Sequence, residues 1–348
     1  MPFRRTQIGV QRPAGKRRSL ALDKRDKFRF NVLTSGHRAC SGCGEAMAAR
    51  MVTDLIGPGA IYINATGCLQ VFTTHNEQSA WQAPWLHSVF ANAAAVASGV
   101  EAALSARGKD TPVVVQAGDG GTFDIGLQCL SGMIERGHNV LFVCYDNEAY
   151  MNTGVQRSSS TPHAVRTTTS PPGRLSEGKH HLKKDVLSIM AAHQLPYAAT
   201  ATVAYFPDLK AKVEKAIKIK GPRFLQVLSP CPLGWNHDAA QTIEVSRLAV
   251  ETGLFPLVEL EHGSVTSVMR LAQQRPIEDY LKLQGRFKHL FGSQNGATEI
   301  RHLQALADAR IQRYGLLDAE TEWTTDTSTQ VQRHGRGGYA QGMKRSST

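Results

Sequence analysis

"PVVVQAGDGGTFDIG", residues 112–126, decides the fold. Its first half is an unbroken apolar run rich in valine, as a strand buried on both faces reads. The run ends directly on Gly118, Asp119, Gly120 and Gly121. Glycines at a strand end let the backbone turn sharply and approach a ligand closely. A helix is expected over 123–137, and its N-terminus behind the glycines favours a phosphate. Asp119 then stands where a diphosphate would need a divalent cation, and Mg²⁺ takes one or two carboxylates, neutral oxygens and the phosphates themselves. Gly-Asp-Gly alone is also an ordinary turn. Here it is followed by 26 residues, 121–146, the length of one helix and one strand. Asn147 therefore arrives at the carboxyl end of the neighbouring strand as a second oxygen donor.

The same alternation extends outward in both directions. Strands are expected at 60–64, 112–118, 139–147, 197–204 and 223–229. Helices are expected at 88–106, 123–137, 185–194, 208–219 and 242–253, with a Ser/Thr/Pro loop at 157–173. Strands alternating with helices imply parallel crossovers, hence an α/β fold with a doubly wound, mostly parallel sheet. Two more helices, 277–291 and 297–315, are appended. The expected organisation is a basic tail at 1–30, a ligand-binding domain at 31–292, a helical extension at 293–320 and a polar tail at 321–348.

The chain has 348 residues, is 41% hydrophobic and carries a formal charge of +11. Residues 1–30 hold ten Lys/Arg against Asp23 and Asp26, and 327–348 hold four basic residues and no acid. The remainder is nearly neutral, so the basicity reads as solvated ends rather than a nucleic-acid surface, and nucleic acid is not expected as a partner. No apolar secretion segment or membrane span is evident, and a cytoplasmic location is expected. The six cysteines are Cys40, Cys43, Cys68, Cys129, Cys144 and Cys231. Without a secretion signal, metal or cluster ligation is a better prior than disulfides. Cys40 and Cys43 form a CxxC in "ACSGCGE". Cys68 lies just past the 60–64 strand and Cys231 just past the 223–229 strand, so a parallel sheet delivers both to one rim. Cys129, on the apolar side of a helix, and Cys144, inside a strand, read as small core residues. Four thiolates at these spacings suit either a structural zinc or an iron–sulfur cluster.

Gly-Asp-Gly followed about thirty residues on by Asn resembles the diphosphate–Mg²⁺ motif of thiamine-diphosphate enzymes. The usual ending is Asn-Asn; here it is Asp146-Asn147. "HRACSGCGEA", "NATGC", "AGDGGTFDIGLQCLSGMIERGHN", "CYDNEAYMNTGVQRS" and "LSPCPLGW" narrow the resemblance to the beta subunits of pyruvate:ferredoxin oxidoreductases (pyruvate synthases). The likeness covers roughly residues 31–292 and leaves both tails outside.

That resemblance implies a [4Fe–4S] cluster on Cys40, Cys43, Cys68 and Cys231. It implies thiamine diphosphate on Gly118, Asp119, Gly120 and Gly121, with Mg²⁺ held by Asp119, the Asn147 side chain and the Ala149 carbonyl. Asn152 is expected to face the reacting substrate, and Glu45 and Cys68 to lie against the cofactor. On sequence alone Glu45 is equally a helix N-terminal acid placed by the macrodipole. The implied chemistry is oxidative decarboxylation of pyruvate with coenzyme A, electrons passing singly to a ferredoxin; another 2-oxoacid is the alternative. "NATGC" and "DNEAYMNTG" look more like the pyruvate type. The glutamate that activates thiamine belongs to a separate module in this family, so an alpha subunit is implied, with gamma and ferredoxin-like delta subunits. The reading from outside that class is a zinc-stabilised scaffold subunit.

Overall fold

The computed structural model describes residues 31–317, except 76 and 77. The predicted tails at 1–30 and 321–348 lie outside the described residues.

The described chain is built on one eight-stranded sheet. Its strands are β1 (Ile61–Ala65), β4 (Trp85–Ser88), β5 (Val113–Gly118), β6 (Val140–Asp146), β7 (Tyr197–Thr202), β8 (Arg223–Leu228), β9 (Val258–Glu261) and β10 (Ser264–Val268). A small ribbon of β2 (Thr74–His75) and β3 (Gln78–Ser79) stands apart from it. The order across the sheet is β10-β9-β7-β8-β6-β5-β1-β4. From β4 to β7 every pairing is parallel; β9 and β10 are antiparallel. The expected doubly wound α/β sheet is therefore present.

Alternation within the strands explains why both faces are covered. Val113, Val115 and Ala117 of β5 and Val140, Phe142 and Cys144 of β6 enter one core. Val114 of β5 and Leu141, Val143 and Tyr145 of β6 enter the other. Helices α3 (Ala93–Ala106), α4 (Leu127–Glu135) and α5 (Val186–Ala192) cover the first face; α1 (Gly44–Ile56), α2 (Cys68–Thr73) and α6 (Phe206–Ala216) cover the second. A third core gathers α7 (Pro232–Trp235), α8 (Thr242–Glu251), α9 (Ile277–Lys282) and α10 (Gly296–Tyr314). Burial of valine and leucine on both faces of a strand is worth roughly 1.5–3 kcal/mol per side chain, which is why these runs accept no polar alternation.

Four local readings differ from expectation. The helix expected at 88–106 begins only at Ala93, because residues 85–88 form the edge strand β4, with Tyr62 paired to Trp85 and Ala65 to Ser88. The 123–137 helix is split. A π-type turn spans Gly120–Asp124, and the regular helix begins at Leu127. The 277–291 helix breaks after Lys282 and continues as a 3₁₀ turn, Gly285–Phe291. Gly285 packs so tightly there that a Cβ would lie 2.2 Å from Asn236 Nδ2. The β9–β10 hairpin was not expected, although His262 (φ 48°) and Gly263 (φ 79°) supply the left-handed pair such a tight turn requires.

Candidate active site

Four neighbouring parallel strands, β1, β5, β6 and β8, deliver their carboxyl ends to one rim. Beyond β1 comes Cys68, which opens α2; beyond β5 comes Asp119; beyond β6 comes Asn147; beyond β8 comes Cys231, which caps α7. Two cavities open at this rim, of about 300 Å³ and about 290 Å³. The first is lined by Gly118, Asp119, Gly120, Gly121, Asn147 and Ala149, the second by Cys40, Cys43, Cys68 and Cys231. Glu45, Cys68, Val71, Asn147, Met151 and Asn152 line both, so one layer of side chains separates them. Every site residue expected from the sequence stands on one or both of these walls.

In the first cavity the backbone faces open space. A Cβ on Gly118 or on Gly67 would meet nothing within 4 Å. Gly120 is required for a different reason: its Cβ would lie 2.4 Å from Cε1 of Tyr150, whose hydroxyl donates to Asp124 Oδ2 at 3.0 Å. The π-type turn follows at once, with Ile125 N donating to Gly120 O at 3.2 Å. Such turns widen the helix start and recur at functional sites.

Asp119 and Asn147 are buried, at 1% and 5% exposure. Ser158 Oγ donates to Asp119 Oδ2 at 2.5 Å, and Asn147 Nδ2 donates to Glu45 Oε2 at 3.1 Å. The other oxygen of each, Asp119 Oδ1 and Asn147 Oδ1, is buried without a protein partner. An unsatisfied buried acceptor costs roughly 1–3 kcal/mol. Two of them in the wall of one cavity, beside a glycine cradle, fit a bound divalent cation. Burial, and then the Asp146 carboxylate, hold the Asp119 carboxyl well above its ordinary range. A cation would reverse that.

Glu45 lies in the first turn of α1 and is 3% exposed. Its Oε1 accepts from Leu69 N at 3.2 Å and its Oε2 from Asn147. Glu45 thus sits at a helix N-terminus and also walls both cavities. Burial pushes its carboxyl up to about 7.

The cysteine pocket is also shaped locally. Cys43 caps α1, its Sγ accepting from Ala46 N at 3.5 Å, and Cys231 caps α7, its Sγ accepting from Gly234 N at 3.3 Å. Gly44 lets α1 abut the Cys231 loop, since a Cβ there would lie 2.7 Å from Pro230 O. Burial, then Glu45, pushes the Cys43 thiol up to about 12. Burial likewise raises Cys68 and Cys231. Coordination to a metal would deprotonate such thiols outright. Cys144 is fully buried in the core, and Cys129 packs against it.

The sequence reading missed the groups that hold Asn147 in place. Glu148, at φ 65°, turns the chain between Asn147 and Ala149. Lys183 Nζ bonds Asp146 Oδ2 at 2.6 Å and Glu148 Oε1 at 2.7 Å, and Arg286 bonds Glu148 Oε2 at 2.7 Å. The Arg286 guanidinium lies 3.7 Å over the Trp235 ring, and Trp235 Nε1 donates to Asn147 O at 2.8 Å. Burial raises the Glu148 carboxyl, but Lys183 and Arg286 more than reverse it and hold it below its ordinary value. Only "CPLGW" gave a sequence signal for any of this. Lys183 sits in a segment without motif, and Arg286 lies in the stretch expected as the 277–291 helix, where a single arginine carries no signal of its own.

The family of the thiamine pyrophosphate enzyme C-terminal TPP binding domain matches residues 65–227. The pyruvate synthase subunit PorB of Methanosarcina barkeri is 51% identical over 286 residues, 82% of this chain and 97% of that protein. PorB of Methanocaldococcus jannaschii is 49% identical over 83% of this chain and 98% of its own length. The ketoisovalerate oxidoreductase subunit VorB of Pyrococcus abyssi is 46% identical over 80% of this chain and 90% of its own length.

Proposed function

Since the chain belongs to the family of PorB subunits of 2-oxoacid:ferredoxin oxidoreductases, we propose that it is the thiamine-diphosphate subunit of a pyruvate synthase. In this reading it holds thiamine diphosphate and Mg²⁺ in the first cavity and a [4Fe–4S] cluster in the second. The assembled enzyme interconverts pyruvate and coenzyme A with acetyl-CoA and CO₂, exchanging electrons with a ferredoxin in the cytoplasm. An alpha subunit completes the site with the glutamate this chain lacks, and gamma and ferredoxin-like delta subunits carry the electrons onward.

The observation that carries the reading is the pair of buried oxygens without partners, Asp119 Oδ1 and Asn147 Oδ1, in the cavity walled by Gly118, Gly120 and Gly121. Those two oxygens, with the Ala149 carbonyl, would hold Mg²⁺. Bound thiamine diphosphate supplies the carbanion that decarboxylation of a 2-oxoacid requires. The chain's own part is placement. Gly118 and Gly67 keep the wall free of side chains. Glu45 accepts from Asn147 Nδ2 and so leaves Asn147 Oδ1 as the amide's atom without a protein partner. Asn152 stands on the wall shared by both cavities, where it would face substrate. For the second cavity, the Cys231-Pro232 pair favours a cluster over zinc.

Two measurements test this. Thiamine-diphosphate binding to the isolated chain should require Mg²⁺ and be lost in Asp119→Ala and in Asn147→Ala; unchanged binding in both variants would remove the assigned site. Anaerobically purified protein should show a broad band near ~400 nm that dithionite bleaches, and a colourless protein holding one zinc would end the electron-transfer reading. The match to a ketoisovalerate oxidoreductase subunit gives branched-chain 2-oxoacids as the second reading. Assay of the assembled complex on pyruvate against ketoisovalerate, with coenzyme A and a low-potential acceptor, decides between them.

A further inference from the structure

A second group of ligand-type side chains lies away from the rim, where α10 meets the loop that follows Thr161. Glu299 and His302 are three residues apart in the first two turns of α10, so both project from the same helix face. His163 reaches them from the loop. His163 Nε2 is 2.6 Å from Glu299 Oε2, and His302 Nδ1 is 3.9 Å from the same oxygen. The two imidazole centroids are 4.7 Å apart. One ligand atom from each residue falls within 4.8 Å of the others, the only such trio among the described residues.

The orientation of His163 is chemically specific. Its Nδ1 is 2.9 Å from the carbonyl oxygen of His180, which can only accept, so Nδ1 carries the hydrogen. On a neutral ring the nitrogen facing Glu299 is then a lone pair pointed at a carboxylate. A cation between them satisfies both. A backbone carbonyl that fixes the tautomer through the far ring nitrogen is the usual outer-shell partner of a metal-bound histidine.

We infer that His163, Glu299 and His302 form a binding site for a divalent first-row transition ion of the zinc type, with solvent in the fourth position. Two imidazoles and one carboxylate suit such ions and not Mg²⁺ or Ca²⁺, which prefer oxygen. Tetrahedral ligands at about 2.1 Å stand about 3.4 Å apart, and the distances of 2.6 and 3.9 Å bracket that value. Rotation of the His302 ring, whose side chain is 47% exposed, supplies the adjustment. The site joins α10 to the loop in which Ser158 bonds Asp119 and Ser160 Oγ bonds Asp146 at 2.6 Å. The ion would therefore pin α10 against the segment that backs the rim. This inference does not depend on what the rim binds.

The test is a Co²⁺ titration of the full chain, comparing wild type with His302→Ala. Thiols bind Co²⁺ as well, but they are identical in both proteins, so the difference reports the trio. Wild type should take up one more equivalent. The difference spectrum should show visible d–d absorption without the near-ultraviolet sulfur-to-cobalt band, and Zn²⁺ should abolish it. Equal Co²⁺ uptake in the two proteins, or a difference spectrum with the sulfur band, would overturn the site and leave an ordinary His163–Glu299 ion pair. Glu299→Gln, which keeps the side-chain shape, should lose the same equivalent and guards against a helix defect in the alanine variant.

Discussion

Replacing Lys183 with Met keeps an unbranched stem and deletes the ammonium that joins Asp146 to Glu148. The Lys183 side chain is 11% exposed, and the two carboxylate side chains are 0% and 5% exposed. Breaking a buried pair by removing one partner costs about 3–5 kcal/mol. Asp146 would keep Ser160 Oγ at 2.6 Å, Gln226 Nε2 at 2.7 Å and the Glu148 amide at 3.1 Å, and Glu148 would keep Arg286. The expected loss is therefore near the lower end, about 3 kcal/mol, against a total stability of about 5–15 kcal/mol. The loss falls on the turn at 147–149, where Glu148 already holds a left-handed conformation that costs on the order of 1 kcal/mol. If half of it appears as misplacement of Asn147 and Ala149, Mg²⁺-dependent thiamine-diphosphate affinity drops about tenfold. The sign with pH is a second check. Lys183 and Arg286 hold the Glu148 carboxyl below its ordinary value, outweighing burial. That stability is present above the unfolded carboxyl pKa of about 4.3 and is lost as pH falls through the folded value. In Lys183→Met this contribution shrinks, so wild type and variant should differ most at pH about 7 and converge as pH falls below about 4. Urea unfolding at both pH values and a cofactor titration measure the two effects. A loss under about 1 kcal/mol at neutral pH, the value for solvated pairs, or a gap that widens with acid, would refute the reasoning.

Gly120→Ala drives a methyl to 2.4 Å from Tyr150 Cε1 and should destabilise by about 1–3 kcal/mol, relieved in Gly120→Ala/Tyr150→Ala; urea midpoints of the single and double variants check it. Burial raises the Glu45 carboxyl to about 7, so in the cofactor-free chain stability should fall as pH rises from about 4.3 to about 7 and stay lower above it. Glu45→Gln removes that loss and should stabilise the chain by about 1–3 kcal/mol at pH about 8 and by little near pH about 4, and no gain at the higher pH would count against it. Cys129→Ser should keep the visible chromophore of the purified protein and Cys231→Ser should lose it, as read by absorption and iron content.

What was legible in the sequence was whatever local chemistry alone dictates. Val113–Val115 before Gly118 read as a buried strand meeting a ligand turn, and the spacing to Asn147 read as one helix–strand crossover. From those two points the adjacency of β5 and β6 follows. The order of the remaining strands does not, because β7 crosses past β8 before the chain returns to pair with β6, and that choice is made by packing. The π-type turn at Gly120–Asp124 was hidden for a similar reason. It exists because Gly126 passes so close to the Gly121 carbonyl, 2.0 Å from where a Cβ would be, and glycine composition alone does not say which neighbour demands it. Lys183 and Arg286 were illegible altogether. A charged residue in a loop, such as Lys183, or on an appended helix, as expected for Arg286, reads as solvated, and only the tertiary fold shows that these two neutralise Asp146 and Glu148 beneath the site.

The order of the sheet also explains why the two cavities share a wall. Adjacent strands stand about 4.8 Å apart, so four consecutive strand ends span only about 15 Å of rim. The outer pair, β1 and β8, end in Cys68 and Cys231; the inner pair, β5 and β6, end in Asp119 and Asn147. The cysteines therefore flank the cation ligands by topology rather than by any special loop. The CxxC needs only one helix to join them: α1 begins at Gly44, its cap is Cys43, and its first acid, Glu45, bonds Asn147. A single helix N-terminus thus contributes to both cavities at once. Any shift of α1 along its axis would move Cys43 and the Asn147 amide together. This makes Gly44, whose Cβ would meet Pro230 at 2.7 Å, the position where one added methyl should disturb both sites. Gly44→Ala should weaken thiamine-diphosphate binding and lower iron content in the same preparation. Loss of one with full retention of the other would mean that the two cavities are built independently.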